Sequence, residues 1–197
     1  RPPAPFPVRH RPGGRARHAS PGARPVTSVE RKVWTAALPE MRLAYFEREC
    51  TDARTRGDVV DELWDAFNTW RVEARPALGR IDIAAVGLAM DRDDGSLVLR
   101  AAVPIRGDHA PAAPARTVLF PGGAFVYAYA DDTDEITAAF EAVREALAEY
   151  NLEPLSGPIE VYKFHYNLEQ HPCDCGFLVD LPGLAPVRGH APLPIAR

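Results

Sequence analysis

The stretch that decides the fold runs from residue 157 to residue 166 and reads Gly157-Pro158-Ile159-Glu160-Val161-Tyr162-Lys163-Phe164-His165-Tyr166. The Gly-Pro step breaks a preceding element, and the run after it predicts a β-strand. Alternate residues of a strand share a face, so one face carries Glu160, Tyr162, Phe164 and Tyr166. A carboxylate among aromatic rings needs a partner because removing its charge from water costs free energy. The run therefore predicts either a surface that binds planar cations or an exposed aromatic patch at a sheet edge.

Composition divides the 197 residues into a globular part and two irregular ends. We expect residues 1–28 to form a disordered basic arm, since residues 1–25 hold six arginines, seven prolines and no acidic residue. The chain carries a net charge of −4, so the part after this arm is acidic and is a poor partner for nucleic acid. No apolar run approaches the ~20 residues that span a bilayer, and the N-terminal residues lack the apolar region of a secretory signal, so no membrane partner is expected. Residues 184–197 are expected to form a flexible tail.

The cysteines indicate a reducing compartment, and hence a cytoplasmic protein, because three is an odd number and no disulfide framework results. His171, Cys173 and Cys175 form a His-x-Cys-x-Cys cluster, but structural zinc sites space their cysteines more widely and need four ligands. We therefore expect no metal site. On a strand, Cys173 and Cys175 would point inward beside Phe177 as small apolar side chains.

The same order of elements occurs twice. Repeat one, residues 39–105, contains a strand at 39–49, an amphipathic helix and two strands joined by an Asp94-Gly95 turn. The helix has an apolar stripe at Val60, Leu63, Trp64, Phe67 and Trp70. Repeat two, residues 117–182, begins with a Pro121-Gly122-Gly123 turn and a strand, and continues with a helix capped within residues 131–134 and two final strands.

This order predicts an α+β fold made of duplicated βαββ units, related by a pseudo-twofold axis, with antiparallel sheets and two long helices. Each unit alone is too small to bury its helix well, so the two would share a core. A ligand cleft is expected at the seam between the repeats.

Three short motifs carry a resemblance to a known family: Phe120-Pro121-Gly122-Gly123, the segment Gly157-Pro158-Ile159-Glu160-Val161-Tyr162, and the closing Leu181-Pro182. With the duplicated plan, they resemble the GyrI-like small-molecule-binding domain, which is also the effector-binding half of AraC-type and MerR-type regulators. The resemblance covers roughly residues 30–183 and places a GyrI-like domain at 29–183. It implies a cleft in which a buried glutamate, matched by Glu160, and an aromatic residue, matched by Tyr162, receive lipophilic and often cationic compounds. The family's DNA-binding helix-turn-helix has no counterpart in the basic arm.

The expected function is the capture of aromatic, lipophilic cations, which multidrug-binding and drug-resistance proteins perform, with no cofactor. The expected ligand-binding residues are Glu160, Tyr162, Phe164, Tyr166, Trp64, Tyr127 and Tyr45, although Trp64 and the tyrosines of the first strands could equally pack the core. Common catalytic signatures such as Gly-x-Ser-x-Gly and His-Glu-x-x-His are absent from the sequence.

Two alternatives stay open. One subfamily of the GyrI-like proteins that this chain resembles hydrolyses cyclopropane-bearing DNA-alkylating toxins in an aromatic cage. If this chain did the same, Glu160 would be the catalytic base, because burial raises the pKa of a carboxylate. The other alternative is a module that presents its cleft to a protein partner. Binding is the preferred interpretation, because a carboxylate in an aromatic cleft suffices for it.

Overall fold

The computed structural model describes residues 32–74, 76, 83–107, 110–163, 172–181 and 191–192. Its elements are, in chain order, β1 (Val33–Leu38), β2 (Met41–Cys50), α1 (Arg56–Ala74), β3 (Ile83–Asp91), β4 (Leu97–Pro104), β5 (Arg116–Phe120), β6 (Gly123–Ala130), α2 (Ile136–Glu149), β7 (Ile159–Lys163), β8 (Cys173–Val179) and β9 (Ala191–Pro192). The α+β class is confirmed. The order strand, helix, strand, strand occurs as β2-α1-β3-β4 and as β6-α2-β7-β8, while the pseudo-twofold duplication of these units stays a prediction.

The described strands form one antiparallel sheet, where the sequence had suggested separate sheets. The strand order is β5-β2-β4-β3-β7-β8-β6-β1-β9. The central pair is β3 and β7, which brings a strand from each half of the chain together. Two residues of the tail that we expected to lack structure form β9, which pairs with β1.

The sheet closes on itself through two long, kinked strands. β1 leads into β2 across Pro39 and Glu40, and β5 leads into β6 across Pro121 and Gly122. Because β1 pairs with β6 and β2 pairs with β5, these two long strands run side by side and join the two ends of the sheet. Gly122 has a φ of +69°, and a Cβ there would lie 2.5 Å from the backbone of Pro39, so the crossing requires glycine. The predicted Pro-Gly-Gly turn is therefore a kink within a long strand. The sequence analysis did not predict β1.

The two faces of the closed sheet are covered differently. The inner face holds an apolar cluster that includes Leu43, Val86, Phe125, Ile159 and Val161. On the outer face, α1 packs on β2 and β4, while α2 packs on β6 and β8. The central strands β3 and β7 consequently lie between the two helices.

Both helices bury the expected stripes. In α1 the buried residues are Leu63, Phe67 and Trp70, and the Trp70 indole donates a hydrogen bond to the Ala112 carbonyl at 2.9 Å. Ahead of α2, the Asp132 carboxylate accepts hydrogen bonds from the two backbone N–H groups at residues 134 and 135 and caps the first turn. No helix in the described segments is long and apolar enough to cross a membrane.

Candidate functional site

Strand β7 places Glu160 and Tyr162 on the outer face of the sheet, between the helices. Their neighbours Ile159 and Val161 belong to the inner apolar cluster, and strand alternation directs Glu160 and Tyr162 to the opposite side. Tyr162 packs in the cluster that lies beneath α2, which confirms this direction. The shared face that the sequence predicted for these two residues is therefore present. We call this group of residues on the outer face of the sheet and on α1, namely Trp64, Ala85, Gly87, Glu160 and Tyr162, the seam site.

Two contacts hold the glutamate in place. The Tyr162 hydroxyl donates a hydrogen bond to Glu160 Oε2 at 2.8 Å. Across the ladder, Glu160 is paired with Gly87, where an added Cβ would lie 2.9 Å from Oε2 and 3.3 Å from the Glu160 Cβ. The carboxylate thus occupies space that any side chain at position 87 would need.

Trp64 supplies the wall of the seam site on the α1 side. Its ring centroid lies 5.3 Å from that of Tyr162, with the planes at 71°, an edge-to-face arrangement. Trp64 is partly exposed, whereas Trp70 is buried in the core. The structure therefore assigns Trp70 to packing and leaves one face of the seam site lined by the Trp64 indole.

The Glu160 side chain is half-buried. It forms no ion pair with any residue in the described part of the chain. Burial raises its pKa above the ordinary value for glutamate, and the hydrogen bond from Tyr162 and the charge of Arg56 oppose this less strongly. Burial and the neighbouring Glu160 charge raise the pKa of the Tyr162 hydroxyl well above its usual range, so Tyr162 remains a hydrogen-bond donor at neutral pH. A positively charged ligand would stabilise the ionised form of Glu160.

Tyr45 and Tyr127 lie on the opposite face of the sheet from Glu160, so the structure does not bring them into the seam site. Both belong to the inner apolar cluster, on the other side of the sheet. The Tyr127 ring stacks on Phe125 with centroids 5.3 Å apart, and the Arg100 guanidinium lies 4.5 Å from the Tyr45 ring centroid. The physical reason is that the middle residues of β2 and β6, around the two tyrosines, are buried on both faces, so polar side chains do not alternate there to indicate which way each tyrosine points.

Gly87 is a site residue that the sequence analysis missed. It lies inside β3, and a glycine within a strand is a known sign that another group approaches the backbone closely. That signal was available in the sequence, but the identity of the approaching group was not.

Two expected members of the site, Phe164 and Tyr166, lie outside the described residues, as does His171 of the suggested metal cluster. Cys173 and Cys175 are buried beside Phe177, with their sulfur atoms 3.4 Å apart. Within the described residues, no group of three or more His, Cys, Asp or Glu side chains is arranged to hold a metal ion.

Comparison with known proteins relates the chain to others through its fold. No protein-family model matches it, and no curated protein matches it. SAV2435 bound to tetraphenylphosphonium has 14% sequence identity and a TM-score of 0.59, with 76% of this chain and 94% of that chain covered. A putative bacterial transcription regulation protein from Staphylococcus aureus MU50 has 13% identity and a TM-score of 0.58, covering 77% and 99% of the two chains.

A third solved structure, the EcmrR C-terminal domain, has 13% identity and a TM-score of 0.57, covering 76% of this chain and 98% of that chain. At these identities the likeness shows the fold alone. The shared fold is consistent with the GyrI-like resemblance of the sequence motifs.

Proposed function

We propose that the protein binds lipophilic aromatic cations at the seam site, with Glu160 as the counter-ion. The observation that supports this proposal is a half-buried carboxylate that lies beside aromatic rings and forms no ion pair within the described residues. Burial of an unpaired charge costs free energy, and a cation that enters the site supplies the missing partner. Rings on that cation would gain edge and face contacts with Trp64 and Tyr162.

Further support comes from the fold. SAV2435, which has the same fold, is a protein whose structure was solved with tetraphenylphosphonium, an aromatic cation. The run that contains Glu160 and Tyr162 continues to Phe164 and Tyr166, and we propose these two rings as additional stacking surfaces. Multidrug-type capture and drug resistance are the biological roles that such binding would serve.

The test compares two ions of the same shape and opposite charge, tetraphenylphosphonium and tetraphenylborate, by isothermal titration calorimetry. We expect the protein to bind the phosphonium and to reject the borate. Glu160→Gln should weaken phosphonium binding about tenfold to a hundredfold, since contacts to an ionised group contribute about 1.5–3 kcal/mol. Glu62→Gln, which removes the same charge from an exposed position of α1, is the matched control and should bind as the wild type does. Equal losses for Glu160→Gln and Glu62→Gln would rule out the counter-ion role.

Hydrolysis is the second candidate, because the raised pKa of Glu160 suits a general base. In that reaction water would add to one cyclopropane carbon while the strained carbon–carbon bond breaks, and the electron pair of that bond would pass to the other part of the ligand. Glu160 would take the proton from water and return it to the ligand, so that the product is the alkylator with one water added. The arrangement favours binding over this chemistry, since the Tyr162 hydroxyl, on the same strand, donates to Glu160 itself. Incubation with a cyclopropane-bearing alkylator, followed by mass spectrometry for the ring-opened product with water added, distinguishes the two candidates.

A further inference from the structure

One polar atom of α1 is buried without a hydrogen bond. The side-chain oxygen of Asn68, Oδ1, has almost no exposed surface, although the residue as a whole is half-buried, and it accepts no hydrogen bond from any residue that the structure describes. A buried carbonyl oxygen that lacks a donor is uncommon in native proteins, because its lost hydration is not replaced. Such an atom indicates either a structural cost or a partner that binds there.

The position of Asn68 on α1 connects it to the seam site. Asn68 follows Trp64 by four residues and precedes Arg71 by three, so the three side chains lie along one flank of the helix. Trp64 contacts Tyr162 of β7 at the start of this flank. At the other end of the flank, Arg71 Nη1 donates a hydrogen bond of 3.3 Å to the Ala84 carbonyl of β3. The flank therefore faces the central strands β3 and β7, and Asn68 lies between its two contacts with them.

The chemistry of the two acceptors is different and complementary. Glu160 offers a carboxylate, which attracts any cation whether or not it carries a proton. The amide oxygen of Asn68 is neutral, and only a group with an N–H or O–H can satisfy it. A quaternary onium ion can neutralise Glu160 but leaves the Asn68 oxygen without a donor.

We propose that Asn68 is a specificity-determining residue that selects aromatic cations bearing an N–H donor, such as amino-substituted heteroaromatic cations, over cations that have none. This inference rests on the proposed function, since it names the class of ligand for the same site. Its physical basis is that a site with a buried acceptor discriminates strongly against a ligand that cannot pair with it. Trp64, one turn before Asn68, provides the ring on which the heteroaromatic part of the ligand packs.

The test uses two acridinium dyes with the same ring system and the same permanent charge. Acriflavinium carries two primary amino groups, whereas in N-methyl acridine orange both amino groups are dimethylated and have no N–H. Fluorescence titration of the full-length chain should show about a tenfold preference for acriflavinium, the size of one good buried hydrogen bond. Asn68→Leu, which is similar in size and has no acceptor, should remove that preference while changing the affinity for N-methyl acridine orange by less than about twofold.

A second variant keeps the test informative if the leucine affects folding. Asn68→Asp retains an oxygen acceptor at the same place and should keep or increase the preference for acriflavinium. The inference would be overturned if the wild type showed no preference for acriflavinium, or if Asn68→Leu kept the preference. If N-methyl acridine orange binds in a manner that depends on Glu160 but no donor preference is seen, the inference fails and the proposed function stands. If neither dye binds, the proposed function fails and takes the inference with it.

Discussion

A methyl group at position 87 should weaken cation binding without unfolding the protein. In Gly87→Ala the new Cβ would lie 2.9 Å from Glu160 Oε2, whereas ordinary contacts begin near 3.4 Å. The conflict is with the end of a flexible side chain, so the carboxylate yields and the strand keeps its pairing with β7. We expect the carboxylate to retreat by about 0.5 Å.

The size of the effect follows from the distance between the two charges. For a cation ~4 Å from the carboxylate at an effective dielectric constant of ~20, the attraction is about 4 kcal/mol, and a retreat of ~0.5 Å loses about 0.5 kcal/mol of it. The hydrogen bond from Tyr162 to Glu160 is present with and without ligand, so disturbing it lowers the folding stability rather than the affinity. The expected weakening is therefore about twofold in Kd.

Calorimetric titration with tetraphenylphosphonium measures this directly, and circular dichroism with a thermal melt confirms that the variant is folded. Gly57→Ala is the matched control, because a Cβ at position 57 of α1 meets nothing within 4 Å. It should bind as the wild type does. A folded Gly87→Ala protein with wild-type affinity would show that the ligand does not depend on the Glu160 carboxylate as the structure places it, and the reasoning would be refuted.

Three further predictions concern pH and the aromatic wall. Burial raises the pKa of Glu160, so at a pH below that raised pKa a cation must displace a proton from the carboxyl group in order to bind. Kd should therefore increase as pH falls, by at most about tenfold per pH unit. Calorimetry in buffers of different ionisation enthalpy would detect the released proton. The folding stability of the protein without ligand should change with pH in the opposite direction. The raised pKa of Glu160 contributes stability at acidic pH, and this contribution is lost as pH rises through the raised pKa. The melting temperature of Glu160→Gln should therefore rise relative to that of the wild type from acidic to neutral pH, and a constant difference between the two would argue against a buried carboxylate. Trp64→Leu should weaken the binding of aromatic cations about tenfold, because contacts with the indole ring are lost. Tyr127→Phe, on the inner face, should change Kd by less than about twofold. The reverse pattern in a fluorescence titration would place the ligand inside the closed sheet.

Much of the local structure followed from sequence patterns. The stripe of Leu63, Phe67 and Trp70 predicted the buried side of α1, because a helix repeats every 3.6 residues and only one side of it can face the sheet. Alternation along residues 159–162 placed Glu160 and Tyr162 on one face for the corresponding reason in strands. The acidic segment before α2 predicted its cap, since short acidic side chains satisfy the free N–H groups of a first turn.

Contacts between distant segments were decided by the tertiary structure. The sequence alone determined the α+β class, the order strand, helix, strand, strand in each half and the placement of Glu160 with Tyr162 on one face, because these depend on local periodicity. Only the closed sheet decided that Tyr127 faces inward, that Gly87 makes room for the Glu160 carboxylate and that the Trp64 ring meets Tyr162. Each of these depends on which strands become neighbours, and strand pairing is settled by burial of the whole core, which no local pattern records.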